Sequence, residues 1–447
     1  MRFAVVFDYF CAPAAAPDEA LHRPTWAEIS LDAVSANTRL IRSLAAPAEV
    51  MAVVKADAYG HGAVEVARTA LASGATWLGV AALEEAVELR RAGISAPVLV
   101  LSAATPAQAE TLVREDVTAA VFDLEVARAL AAAGRRLGRP ARAHLKVDTG
   151  MGRLGVPADR RGLELALEAA RLEGLNLEGV YSHFASADEP DLSFARRQAE
   201  LFDRFVNEAG RAGLSFSWRH LANSAGLLNL PQARHNLVRV GLCLYGLYPS
   251  PHVDRRQAVL TPAMAWKTRL VYVKRVPAGT PVSYGGDYVT DHAMPVGTLP
   301  VGYADGYRRA LKGRGRVLIR GRSCPVLGRV CMDHIMVGLD EVPDAAVGDE
   351  AVLLGRQGAA EVTAEELAEA CQTINYEIVA AVGRRMPRVF VRDGRPAALR
   401  SILGTVSLGP SGSSGPSGSS GPSGGSGSSG LSGPSEPGPA SEGGGRR

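Results

Sequence analysis

From residue 50 to residue 240 the chain repeats one pattern: a short run of apolar and β-branched residues, then a longer stretch rich in alanine and leucine. The apolar runs lie at 50–54, 77–80, 98–101, 117–121, 143–147, 177–183, 218–221 and 237–240. They are short enough for buried strands and too short for buried helices. Helical periodicity fills most of the connections, for example 84–91, 124–133, 163–172 and 195–211. The seventh connection, 223–230, leaves room for only a short helix. Eight strands with intervening helices predict an α/β fold, a parallel (β/α)8 barrel over 25–260 that begins with an extended segment at 26–31. Past residue 260 the texture changes. Strand-like runs at 266–276, 296–301, 317–320, 326–337 and 351–354 are punctuated by glycine and proline, with one helical stretch at 364–371. This predicts a mostly antiparallel β domain over 261–400.

Composition narrows the class without altering that picture. The 447 residues are 47% hydrophobic and 21% charged, enough for two substantial cores. A net charge of +3 gives no reason to expect nucleic acid. The five cysteines are scattered without C-x-x-C spacing, which excludes a disulfide framework or structural zinc and fits a reducing, cytoplasmic setting. No apolar run reaches membrane-spanning length. Residues 1–24 carry a short, interrupted apolar run behind a single arginine, and read as a disordered extension rather than a signal peptide. Residues 401–447, almost wholly Ser, Gly and Pro from about 409, read as a disordered tail.

The candidate chemistry collects at the C-terminal ends of the predicted barrel strands, where such barrels carry their sites. Lys55 closes the first apolar run and leads into Ala56-Asp57-Ala58-Tyr59-Gly60-His61-Gly62. Burial lowers a lysine's pKa and frees its amine to attack an aldehyde. Asp57 and His61 are expected only to shape the turn. In the fifth strand, alternation turns Arg142, His144, Lys146 and Asp148 inward, and a lysine facing a barrel interior is costly unless paired or modified. A glycine-bounded loop then delivers Arg153. His183 ends the sixth strand, His220 with Asn223 and Ser224 the seventh, and Arg239 with Gly241 the eighth. The loops after strands seven and eight commonly bind phosphate. Any one of these histidines or glycines is ordinarily structural; their convergence on one end of one barrel is not. No carboxylate–histidine metal set emerges.

The stretches V-V-K-A-D-A-Y-G-H-G, L-K-V-D-T-G-M-G-R-L-G, H-F-A-S-A-D, A-N-S-A, V-R-V-G-L-C-L-Y-G, V-S-Y-G, V-G-Y-A-D-G-Y, C-M-D and I-N-Y-E closely resemble those of alanine racemase, in order and spacing, from about residue 24 to residue 390. The resemblance implies a pyridoxal-5'-phosphate enzyme working as a homodimer on a small amino acid, supplying D-alanine for peptidoglycan. It implies that Lys55 carries the cofactor as a Schiff base. Tyr59, Ser224, Gly241 and Leu242 would hold its phosphate, the last two through backbone amides. Arg239 would face the pyridine nitrogen with His183 bonded to it, and Arg153 would approach the phenolic oxygen and the substrate. Lys146 resembles a position carbamylated in many members, where the resulting anion would orient Arg153. From the partner chain, Tyr284 would be the second catalytic base and the backbone at Met332 a carboxylate ligand. Tyr303 and Asp305 resemble the entrance, and Asp333 of C-M-D is a further supporting residue. Arg384 stands just before Met386-Pro387-Arg388, where some members carry a phosphate-binding tyrosine, and an arginine there could pair with phosphate instead.

Racemisation removes a proton from one face and returns one to the other, so two bases suffice: Lys55 on the D-face and Tyr284 on the L-face. A phenol is a weak base at neutral pH, and the chain Arg239–His183–His220 is expected to supply the field that favours its anion. Two rival readings have discriminating features. A non-catalytic cofactor-binding barrel would lack the second domain and the opposing tyrosine. The other is a related enzyme of this fold: a decarboxylase would place an acidic residue at the pyridine nitrogen and a cysteine at the partner-chain base, where this chain has Arg239 and Tyr284, while a racemase of broader specificity stays open because pocket shape discriminates one hydroxyl weakly.

Overall fold

A computed structural model describes residues 21–408. Eight parallel strands form the first sheet: Glu49–Val53, Trp77–Val80, Val98–Ala103, Thr118–Val121, Ala141–Asp148, Leu175–Tyr181, Trp218–His220 and Leu237–Val240. The eighth pairs with the first, Arg239 opposite Met51. The seventh and eighth are joined by backbone bonds, Arg239 N–H to Ala222 C=O at 2.9 Å and Asn236 N–H to Arg219 C=O at 3.3 Å, so the barrel is nearly closed. Each strand is apolar on its outer face because helices cover it. Ser193–Arg211, the longest of these, buries Ala195, Gln198, Ala199, Phe202, Phe205 and Ala209 at helical spacing. Leu124–Arg136 is capped by Asp123, whose carboxylate accepts the Val126 N–H at 2.9 Å, and ends on Arg135 and Arg136, which suit the dipole.

Register decides what fills the interior. Lys146, Tyr181 and His220 stand side by side on the fifth, sixth and seventh strands. One layer below, His144, Gly179 and Trp218 are neighbours. Gly179 is required there, because a Cβ would come within 2.5 Å of the His144 ring. Met51, Trp77, Leu99 and Leu237 plug the barrel further, with Trp218 packed against them.

The second sheet is mostly antiparallel and differs from the expected boundaries at both ends. Thr25–Ser30, read as the start of the barrel, instead lies between Met264–Arg269, antiparallel to it, and Arg388–Arg392, parallel to it. The barrel proper opens with the helix Leu31–Ala45, capped by Ser30. At the far end, Arg395–Ser401 and Gly404–Ser407 add two antiparallel strands, so ordered pairing runs past residue 400. Backbone pairing does not need apolar side chains, which is why polar composition alone set that boundary too early. Residues 21–24 are also tied to this domain: Arg23 forks onto Asp305 at 2.6 and 2.7 Å. The remainder of the expected extension and tail, 1–20 and 409–447, lies outside the described residues.

Candidate active site

Lys55 leaves the C-terminal end of the first barrel strand and enters an unusual turn. Ala56, Asp57, Ala58 and Tyr59 all adopt φ between 52° and 54°, one turn of left-handed helix, and Gly60 follows at φ 83°. Side chains in this region cost about 1–2 kcal/mol per residue, so contacts outside the turn must hold it. Glu85 supplies one, accepting the Ala56 N–H at 2.6 Å. The lysine amine takes part in none of the hydrogen bonds formed among the described residues. Burial holds its pKa below the ordinary lysine range, the charge of Arg153 adds to the effect, and Glu85 opposes it.

At the other end of the turn Tyr59 reaches the loops after strands seven and eight. Asn223 caps the short helix Ser224–Asn229 by accepting the Gly226 N–H at 2.9 Å, which aims Ser224 at the eighth strand. Ser224 Oγ accepts the N–H of Gly241 at 3.2 Å and of Cys243 at 3.4 Å. A Cβ on Gly241 would sit 2.6 Å from the Tyr59 hydroxyl oxygen, so only glycine lets that hydroxyl approach the backbone. Buried Leu242 follows. The Tyr59 and Ser224 hydroxyls thus meet the backbone of Gly241 and Cys243 in one small cup.

Arg239 is buried in the barrel mouth. Its Nη1 donates to the His220 carbonyl at 2.9 Å and to His220 Nδ1 at 3.0 Å. Its Nη2 donates to the carbonyls of Ser182 at 2.7 Å and Leu221 at 3.1 Å, and to His183 Nδ1 at 3.1 Å. A guanidinium can only donate, so Nδ1 of both histidines must accept. A neutral His220 then carries its proton on Nε2 and donates to His144 Nδ1 at 2.8 Å, which fixes the tautomer of His144 in turn. Burial and the charge of Arg239 push His220 and His183 well below the ordinary histidine range. Both rings are therefore neutral at pH 7. The positive charge of the Arg239–His183–His220 chain thus resides on Arg239, whose own pKa burial lowers only to about 10.

Tyr181, which sequence reasoning missed, is the plate on which these groups rest. Its ring stacks on His220 at 4.8 Å, and Lys146 Nζ sits 4.4 Å above its centroid. Burial, then Arg239 and Arg153, push the Lys146 amine down to about 7. Asp148 folds the loop that carries Arg153, accepting the N–H groups of Gly150, Met151 and Gly152 at 2.9 to 3.2 Å. Arg153 itself is exposed at the mouth.

The second domain contributes less within one chain. Tyr284 is 69% exposed, Met332 52% and Tyr303 40%. Asp305 does not line an entrance in this protomer. It is fully buried, held by Arg23 and by Arg385 at 2.6 Å, and the two guanidiniums outweigh burial to keep its carboxyl below the usual range. Arg385 also reaches Asp333 at 2.6 Å, so these residues form one ion-pair cluster. Arg384 is exposed. The tyrosine that approaches the cup is Tyr376 of I-N-Y-E, with its ring 6.2 Å from that of Tyr59. The motif was visible in the sequence; its place beside Tyr59 was not, since a separate helix, Asn375–Ala380, carries it there.

Two family models match the chain, one for the alanine racemase N-terminal domain over residues 29–249 and one for the C-terminal domain over 263–390. The alanine racemase of Symbiobacterium thermophilum is 51% identical over 368 residues, covering 82% of this chain and 97% of that protein. That of Desulforamulus reducens is 46% identical, covering 83% and 100%. Among solved structures, the alanine racemase of Bacillus anthracis with bound L-Ala-P superposes with a TM-score of 0.82 at 37% identity, covering 86% of this chain and 99% of that one.

Proposed function

The chain belongs to the alanine racemase family, whose members use pyridoxal phosphate, and from that premise we infer that it interconverts L-alanine and D-alanine with one proton-transferring group on each face of the substrate. The observation that carries the reading is Lys55, a lysine of lowered pKa at the mouth of the barrel, in the field of Arg153 and Arg239 and at the head of the turn that brings Tyr59 to the cup around Ser224. Chiral chromatography of L-alanine incubated with the protein and pyridoxal phosphate tests it. D-alanine that fails to form after boiling establishes the reaction; no D-alanine from a protein that binds the cofactor removes it.

The residues present fit the cofactor. Because Gly241 has no Cβ, the Tyr59 hydroxyl comes up against the backbone there, which sets a hydroxyl beside the main-chain amides as a phosphate cradle requires. Tyr59, Ser224 and the amides of Gly241 and Leu242 would hold the phosphate, Tyr376 would border it, and Lys55 would hold the cofactor covalently. Bound there, the cofactor supplies an electron sink that acidifies the substrate's α-proton. Arg239 can donate but not accept, so it would leave the ring nitrogen without a proton and keep that sink weak, which limits transamination. The Gly241→Ala variant should weaken pyridoxal phosphate binding at least ~10-fold, read by titrating the cofactor-free protein, because one misplaced hydrogen-bonded group on an anion is worth about 1.5–3 kcal/mol.

Lys55 would move the proton on the D-face. Tyr284 would move it on the L-face of a second copy, and its exposure together with that of Met332 and Tyr303 supports a homodimer with shared sites. The backbone at Met332 would then receive the substrate carboxylate alongside Arg153.

Lys146 is proposed to be carbamylated. With the amine near 7, much of it is neutral at physiological pH and open to carbon dioxide. The sign of the pH dependence follows. The amine binds its proton more weakly in the folded than in the unfolded chain, so the unmodified protein gains stability as pH rises from about 7 toward the ordinary lysine range. Carbamylation should follow the same direction. In protein equilibrated with ¹³C-bicarbonate, a carbamate carbon resonance is expected at pH 8, weaker below 7 and missing from Lys146→Met.

A further inference from the structure

The left-handed turn between Lys55 and Tyr59 places two groups at once, so whatever holds the turn holds both. On one side Arg388, almost fully buried, donates to the Gly60 carbonyl at 3.1 and 3.2 Å and to the carbonyls of Val382 and Met386. Gly62 lies against the Phe390 ring, where a Cβ would come within 2.6 Å. Within the turn, Asp57 accepts the Ala63 N–H at 2.9 Å. The remaining face of Asp57 is taken by Arg400, which forks onto the carboxylate with both terminal nitrogens, Nη1 to Oδ1 at 2.7 Å. Burial works against the charge on Asp57, but Arg400 outweighs it and holds the carboxyl below its ordinary range. Arg400 stands opposite Arg388 on the strand Arg395–Ser401, outside the residues 263–390 matched by the C-terminal family model.

We propose that Arg400 is a positioning residue: through Asp57 it latches the last hairpin of the second domain onto the strained turn and so aligns Lys55 and Tyr59 for the cofactor. The proposal rests on the reading that these two residues hold pyridoxal phosphate. A bidentate guanidinium on a half-buried carboxylate is geometrically exacting, and removing it leaves Asp57 with the Ala63 N–H and, as its nearest cation, Arg388 at 3.9 Å. The turn then has one restraint fewer against a conformation that its alanine, aspartate and tyrosine residues disfavour.

The test compares wild type, Arg400→Met, Arg400→Lys, Asp57→Asn and the combined Arg400→Met and Asp57→Asn variant as full-length proteins. Two quantities are read: the dissociation constant for pyridoxal phosphate after cofactor removal, and hydrogen exchange of peptides covering 55–62. Arg400→Met should bind the cofactor about 10-fold more weakly or worse, exchange faster over 55–62, and recover most of its kcat when pyridoxal phosphate is saturating. Arg400→Lys should lie between it and wild type, and Arg400→Met combined with Asp57→Asn should be little worse than either alone. Cofactor affinity within twofold of wild type in folded Arg400→Met overturns the proposal, whether or not exchange quickens. If Arg400→Met does not fold, unchanged affinity in both Arg400→Lys and Asp57→Asn overturns it equally. A wild-type protein that binds no pyridoxal phosphate removes the cofactor reading, and the proposal with it; wild-type binding with unaltered variants removes the proposal alone.

Discussion

Lys55→Ala is expected to lose the Schiff-base absorbance of the bound cofactor and to lower kcat/KM by at least ~10⁴-fold. Two separate losses combine. Removing a positioned general base costs about 10²–10⁴ in rate, and without its amine residue 55 would no longer hold the cofactor covalently. The cup around Ser224 and Gly241 is untouched by the substitution, so the variant should still bind pyridoxal phosphate, more weakly and without the covalent spectrum. Methylamine supplied in solution should restore the absorbance, since a small amine can enter the cleared space, yet restore little turnover, since it is not held against the D-face. Absorbance identical to wild type in Lys55→Ala would remove the lysine from the site. Because burial lowers the amine's pKa, loading of wild-type protein should quicken as pH rises toward that lowered value and then level off.

Tyr284→Phe separates the two faces. Its kcat/KM should fall ~10²–10⁴-fold from L-alanine. The same factor must appear from D-alanine, because mirror-image substrates have equal free energies in water and the two directions share one barrier. The faces are distinguished by exchange instead. In deuterated buffer, Lys55 should still wash the α-proton out of D-alanine without inverting it, while L-alanine keeps its proton; both are followed by proton NMR. The phenyl ring preserves volume and the cofactor should stay bound. Equal washout from both enantiomers would place the L-face base elsewhere. Tyr284 projects from the second domain and is mostly exposed, which fits a group meant for the site of another copy.

The barrel was legible because each strand is a short β-branched run followed by a helix, a signal contained within about thirty residues. The lysine, the cup and Arg239 were legible for a related reason: strand ends are local features, and a barrel maps them all to one mouth. What escaped depends on distance or on protonation. Tyr181 is one aromatic residue in an apolar run, and only cross-strand register reveals that it lies between Lys146 and His220. Asp57 was read as a turn former, which it is, but its partner stands 343 residues away. The histidines were legible as strand-end residues but their neutrality was not, since it follows from burial beside Arg239 and not from residue type. Asp305 sits in a motif that suggested an entrance, and the arginines that enclose it lie at opposite ends of the chain.

Threading of the sheet also sets an order on synthesis. Thr25–Ser30 leaves the ribosome ahead of the whole barrel, yet its antiparallel neighbour emerges only with Met264–Arg269 and its parallel neighbour only with Arg388–Arg392. The barrel helices and strands between them can pair locally in the meantime. This strand, bearing Trp26 and Ile29, therefore waits as an unsatisfied edge until both neighbours have been made. A polypeptide released before residue 388 would expose that edge permanently, so prematurely terminated chains should partition to aggregates or proteolysis rather than accumulate as free barrels.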